Sequence, residues 1–119
     1  MTRWDEIRAK CPKLYMKLNC FECGPGWANL IEDLSVKIEQ IIEKKQENPE
    51  IFAVQVKEKY GTLRFYMSCE TEEIRDLIHE AEALSSQTCE SCGDTAKMRG
   101  SSWLEVKCDT CFRRENDKK

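Results

Sequence analysis

The chain has 119 residues, a formal net charge of −3, 40% hydrophobic and 34% charged side chains, and eight cysteines. That length suits one core with at most a small appended lobe, and the acidic balance excludes a polycation that holds phosphates by bulk charge. No apolar run approaches a membrane span and the first eight residues hold no signal-peptide core, so a reducing, cytoplasmic setting is expected, in which eight cysteines speak for metal rather than disulfides.

Thr2 followed by Asp5 marks a helix start, with Thr2 as N-cap and acids in the first turn. This helix is expected to reach about Lys10, ending before Pro12, with Trp4, Ile7 and Cys11 on one side. A short turn or loop follows and leads into Cys20-Phe-Glu-Cys23-Gly-Pro-Gly-Trp27, where Gly24-Pro25-Gly26 breaks regular structure. From Trp27 the apolar residues Leu30, Ile31, Leu34, Ile38, Ile41 and Ile42 recur at steps of three and four. That is an amphipathic helix ending before Asn48-Pro49, with Glu32, Glu39, Glu43 and Lys44 on its solvated back.

From Ile51 the period changes to two, and a β-hairpin is expected around a Tyr60-Gly61 turn. In that register Lys59 pairs with Thr62, Val56 with Phe65 and Val54 with Met67, placing the apolar residues on one face. The other face carries Gln55, Lys57, Lys59, Arg64 and Tyr66, with Lys57 opposite Arg64, a repulsive pair unless an acid or a partner lies nearby. Thr71 caps the next helix, whose buried stripe is Ile74, Leu77, Ile78, Ala81 and Leu84. His79, the single histidine, falls on the exposed side.

Beyond Ser85-Ser86-Gln87 come two C-x2-C pairs, Cys89/Cys92 and Cys108/Cys111, separated by fifteen residues. This is zinc spacing: thiolates two residues apart on a tight turn occupy two corners of a tetrahedron, and two such turns close it. Gly93 lets the first turn fold back, and Lys97, Arg99, Lys107 and Arg113 are available to offset the charge of four thiolates. Trp103–Lys107 alternates like a strand and should pair near Lys97–Arg99, while the polar tail from Arg113 should fray. The expected fold is α+β: a body over residues 1–87 with two or three helices on a small antiparallel sheet, and a four-cysteine zinc-ribbon-like lobe over residues 88–119.

Four further cysteines, Cys11, Cys20, Cys23 and Cys69, make a candidate second zinc site if the fold brings them together; otherwise they are small buried hydrophobes and an exposed thiol. A closed four-cysteine site leaves no open position for substrate, and one exposed histidine supplies no catalytic ligand, so no enzyme is expected. Lys57, Lys59, Arg64 and Tyr66 form a candidate partner or nucleic-acid face, cations beside an aromatic being suited to phosphate contact and base stacking.

The segment Val54-Gln-Val-Lys-Glu-Lys-Tyr-Gly-Thr-Leu-Arg-Phe-Tyr66, preceded by Glu22-Cys-Gly-Pro-Gly-Trp27 and followed by the cysteine pairs, resembles a group of small phage and prophage proteins. The resemblance implies a mobile-element origin and a zinc lobe, and carries over no catalytic residue. With it the expected role is stoichiometric binding to a host or phage protein through acidic helix faces at 39–47 and 70–82, such as inhibition of a host defence complex of the CRISPR effector kind. The alternative is an accessory protein that binds RNA or single-stranded DNA.

Overall fold

In the computed structural model, which describes residues 2–44, 51–100 and 104–116, the chain is α+β. Thr2 caps helix α1 (Arg3–Lys10) as its sequence predicts: its hydroxyl accepts the Asp5 N–H and the Asp5 carboxylate accepts the Thr2 N–H. The turn after α1 puts Cys11, Leu14 and Tyr15 into the core beside Ile7. A two-residue strand β1 (Phe21–Glu22), which the sequence does not reveal, is followed by a 3-10 turn (Pro25–Trp27) and helix α2 (Ala28–Lys44). Positions beyond Lys44, up to Asn48-Pro49, lie outside the described residues.

Strands β2 (Ala53–Lys59) and β3 (Thr62–Met67) form the expected hairpin, and β1 adds to β2 in parallel, giving the order β1-β2-β3. Tyr60 and Gly61 have φ of 54° and 80°, the mirror-image turn that matches the twist of a two-residue hairpin. Three predicted pairs stand, Lys59 with Thr62, Lys57 with Arg64 and Val56 with Phe65. The pairing of Val54 with Met67 is corrected: a bulge between Ala53 and Gln55 gives Met67 to Ala53, and Val54 is left without a partner. Val54 is therefore 53% exposed while Ala53 is fully buried, so the inward face of β2 changes parity at the bulge.

Helix α3 (Glu72–Ser85), capped by Thr71, packs on β3 and on α2, and α1 packs on α2. All the helices of the body thus lie against one face of the sheet, where Trp27, Ile31, Ile38, Val56, Leu63, Phe65, Ile74 and Ile78 meet. Leu77 is half-buried and Leu84 is 51% exposed, so the α3 stripe is narrower than its spacing implies. His79 is exposed as expected. Among the described residues no helix is long and apolar enough to cross a membrane.

The solvated back assigned to α2 needs correction at Glu39. It is buried, 4% exposed, and its carboxylate accepts the Lys13 N–H at 3.2 Å and the Leu14 N–H at 2.8 Å. The chain after α1 folds over that side of α2, and two backbone donors need an acceptor there. Glu32 is taken up as well, by Arg3 at 2.8 Å and Lys10 at 2.8 Å. Those two cations hold its carboxyl down at about 2. Glu39→Ala should cost about 2–3 kcal/mol in urea unfolding, because it strands both donors, and Glu39→Gln, which keeps an acceptor, should cost less.

The C-terminal lobe holds strands β4 (Lys97–Arg99) and β5 (Glu105–Lys107), antiparallel, and helix α4 (Asp109–Asn116). The strand expected from Trp103 is present from Glu105; Trp103 lies outside the described residues. Helix α4 carries the chain through Asn116, where the sequence shows only a polar run, and residues 117–119 are not among those described.

Candidate metal centre

Two turns build the site. In the first, an isolated bridge between Thr88 and Thr95 closes the base, the Cys89 N–H donates to Asp94 O at 2.7 Å and the Gly93 N–H to Cys89 O at 2.9 Å. Gly93 has φ +89°, a conformation that lets the chain reverse after Cys92 and that other residues rarely adopt. In the second turn Cys108 follows β5 and Cys111 stands in the first turn of α4, its N–H directed to Cys108 Sγ at 3.4 Å. The Glu90 N–H reaches Val106 O at 3.0 Å and ties the two turns together.

The four sulfurs of Cys89, Cys92, Cys108 and Cys111 consequently lie within 4.8 Å of one another, with Cys92 and Cys108 at 3.6 Å. Cys89, Cys108 and Cys111 are buried and Cys92 faces solvent. Burial opposes ionisation of Cys89, but backbone N–H groups of Cys108, Cys92 and Ser91 outweigh it and bring the thiol to about 7. Cys111, hydrogen-bonded to Cys92 and Cys108, is pushed up to about 12. One thiolate forms readily while Cys92 and Cys111 resist joining it, which is the balance that a bound dication would reverse. The arrangement can hold a metal ion, and a set of four sulfurs suits a soft, tetrahedral one.

Of the cations expected to offset the thiolates, two brace the lobe. Arg99 bonds to Asp109 and to Lys107 O and lies over the Phe112 ring at 4.5 Å, while Lys107 donates to Ser91 Oγ. Lys97 and Arg113 are exposed.

The second candidate group is not brought together. Cys11 is buried in the body core, Cys23 is half-buried, and Cys20 and Cys69 are exposed. Among the described residues the only cluster of three or more ligating groups is the C-terminal four. Burial pushes the Cys11 thiol to about 11 and the Cys23 thiol to about 12, the latter helped by Glu90 and Glu58. The hairpin register carried past Met67 would put Cys69 on the apolar face, but β3 ends at Met67 and Cys69 is exposed.

The segment around Cys23 has a different task, which its C-x2-C-Gly spacing disguises. Gly24, Pro25 and Gly26 form a cradle for the first metal turn. The Gly26 N–H donates to Glu90 O at 2.7 Å, the Gly24 N–H to the Glu90 carboxylate at 2.9 Å, and the Trp27 indole N–H to Thr88 O at 2.8 Å. A Cβ on Gly26 would stand 2.6 Å from the Glu90 carbonyl carbon and 2.7 Å from the Cys92 nitrogen. Only glycine permits that approach of backbone to backbone. A signal was present in the sequence: two glycines flanking a proline, directly before the largest core side chain.

Lys57, Lys59, Arg64 and Tyr66 share the sheet face away from the helices, as the retained register requires, and Tyr66 is 44% exposed. No family model, no curated protein and no solved structure matches the chain.

Proposed function

We propose that this chain is a non-enzymatic, zinc-stabilised binding module that acts by stoichiometric contact with a protein partner bearing a basic surface. One observation carries the reading: Glu72, Glu73, Asp76 and Glu80 are exposed on α3, and none of them is in an ion pair among the described residues. Glu72, Asp76 and Glu80 follow one another at four-residue steps, where like charges destabilise a helix by a few tenths of a kcal/mol per pair. Leu84, the next position in that row, is 51% exposed. An acidic row ending in an apolar side chain suits a cationic partner with a small apolar contact, and such charge complementarity steers association. The 39–47 face has less to offer, since Glu39 is buried and Glu47 lies outside the described residues.

Zinc is the ion that the four-thiol set suits best, and its role is to hold the lobe. The resemblance to phage and prophage proteins supports a partner among host defence complexes, whose nucleic-acid channels carry the matching basic charge.

The test is a charge reversal. Asp76→Lys with Glu80→Lys should leave the melting temperature unchanged or slightly raised, because repulsion along the row is relieved. The same variant should lose the one-to-one complex that the wild-type chain captures from host extract. Capture of the same partner by both proteins, at equal strength and equal sensitivity to salt, would overturn the reading.

A further inference from the structure

Among the described residues the sheet has one covered and one open face, and the open one holds two cations that no acid pairs with. Lys57 on β2 lies directly opposite Arg64 on β3, a position where side chains approach to about 5 Å at their Cβ atoms and like charges repel. Among the described residues neither side chain makes a hydrogen bond or an ion pair, and the Arg64 Nε is shut off from solvent with no acceptor. Glu22 stands beside Lys57 on β1, the acid that could have relieved the pair. Its carboxylate accepts from the Gln55 side chain at 3.0 Å and forms no ion pair with either cation among the described residues.

Several cations elsewhere are matched. Arg3 and Lys10 share Glu32, Arg99 holds Asp109, and Arg8 donates to the carbonyls of Leu18 and Asn19. In a chain with 22 acidic against 19 basic side chains, two adjacent cations that no acid pairs with among the described residues can take an anion from outside. Tyr66 follows Arg64 on the same face, about 7 Å along the strand, 44% exposed and stacked on no ring among the described residues. Anion site and free aromatic side by side describe a ligand whose charge and flat ring alternate.

We infer that the open sheet face binds single-stranded nucleic acid, with backbone phosphates across Lys57 and Arg64 and a base stacked on Tyr66. The sheet separates this face from the helices, so the inference stands independently of the acidic row on α3. Net negative charge does not oppose it, because screening limits the reach of distant charges to about 8–10 Å in ordinary salt.

Fluorescence anisotropy of the full-length chain with labelled oligouridylate and oligothymidylate of about a dozen nucleotides, across about 50–200 mM salt, tests it. Lys57→Gln with Arg64→Gln should make the log–log salt slope shallower by about 1.4, two single-strand contacts of about 0.7 each. Tyr66→Ala should weaken binding about ten-fold or more, and Tyr66→Phe, which keeps the ring, should bind as the wild type does. Absence of wild-type binding at the lowest salt, or an unchanged slope in the double variant, would overturn the inference. So would a polyglutamate peptide that competes as well as the oligonucleotide. Should the double variant fail to fold, photo-cross-linking of the wild type to a 4-thiouridine oligonucleotide decides: adducts within residues 54–66 support the site, and adducts confined elsewhere sink it.

Discussion

Cys108→Ser is expected to unfold the C-terminal lobe and to reduce bound zinc from about one ion per chain to a small fraction of that. The reason is the poverty of the lobe's own core. Among the described residues its buried cluster is Cys89, Cys108 and Cys111 with Ala96 packed against it, and Val106 is the other buried apolar side chain, so the ligands make up most of the interior. Structural zinc is worth about 10–16 kcal/mol in finger-like peptides, and a lobe this small has nothing of that size to put in its place. Chelation of the wild-type chain should have the same effect. The body should survive both treatments, since its core runs from Ile7 to Ala81 and includes none of the four clustered cysteines. Elemental analysis reads the metal and far-UV circular dichroism reads the persistence of α2 and α3. A Cys108→Ser protein with a full complement of zinc, or wild type isolated without chelator and free of zinc, would refute the assignment.

The second large effect is expected from a residue that touches no metal. Gly26→Ala places a methyl group against the backbone of Glu90 and Cys92, the first metal turn itself. Overpacking within a core costs about 1–3 kcal/mol when side chains can shift, and here backbone that carries two ligands would have to move, so the upper end applies. The variant should therefore lose stability and bind zinc at least about ten-fold more weakly, a factor equivalent to about 1.4 kcal/mol. Pro25→Ala, at an exposed position between the two glycines, is the control and should change neither. Competition with a chromophoric chelator measures the affinity. An unchanged zinc affinity in Gly26→Ala would mean that the cradle does not bear on the site.

The parts of this fold that were legible in the sequence are those set by neighbouring residues. Thr2 with Asp5, and Thr71 with the acids after it, announce their helices because capping is a local hydrogen-bond problem. The α2 stripe, the Tyr60-Gly61 turn and the two cysteine pairs are equally local, and each stands where its spacing puts it. What escaped depends on distant partners. Strand β1 has two residues, too few for a period, and exists because β2 offers it an edge. The bulge at Val54 is invisible to alternation, which continues to look regular through it. Glu39 reads as a solvated acid until the turn after α1 is folded over it. The cradle was hidden by its likeness to a ligand pair, since glycine after C-x2-C signals a metal turn as readily as a close approach to one.

The contact at the cradle also fixes an order of events in folding. Its hydrogen bonds join residues 61 and 66 positions apart, so they close a long loop and form after local helices and the hairpin. Thr88 O, the acceptor for the Trp27 indole, directly precedes the turn that carries Cys89 and Cys92, which a bound metal would organise. Without the folded lobe the Trp27 indole N–H lacks its protein acceptor, at the edge of an otherwise finished body. With a metal ion in the four-cysteine site, maturation is expected to have two stages, the last paced by metal delivery. A cell short of the ion would accumulate a nearly folded precursor with an open seam beside Trp27.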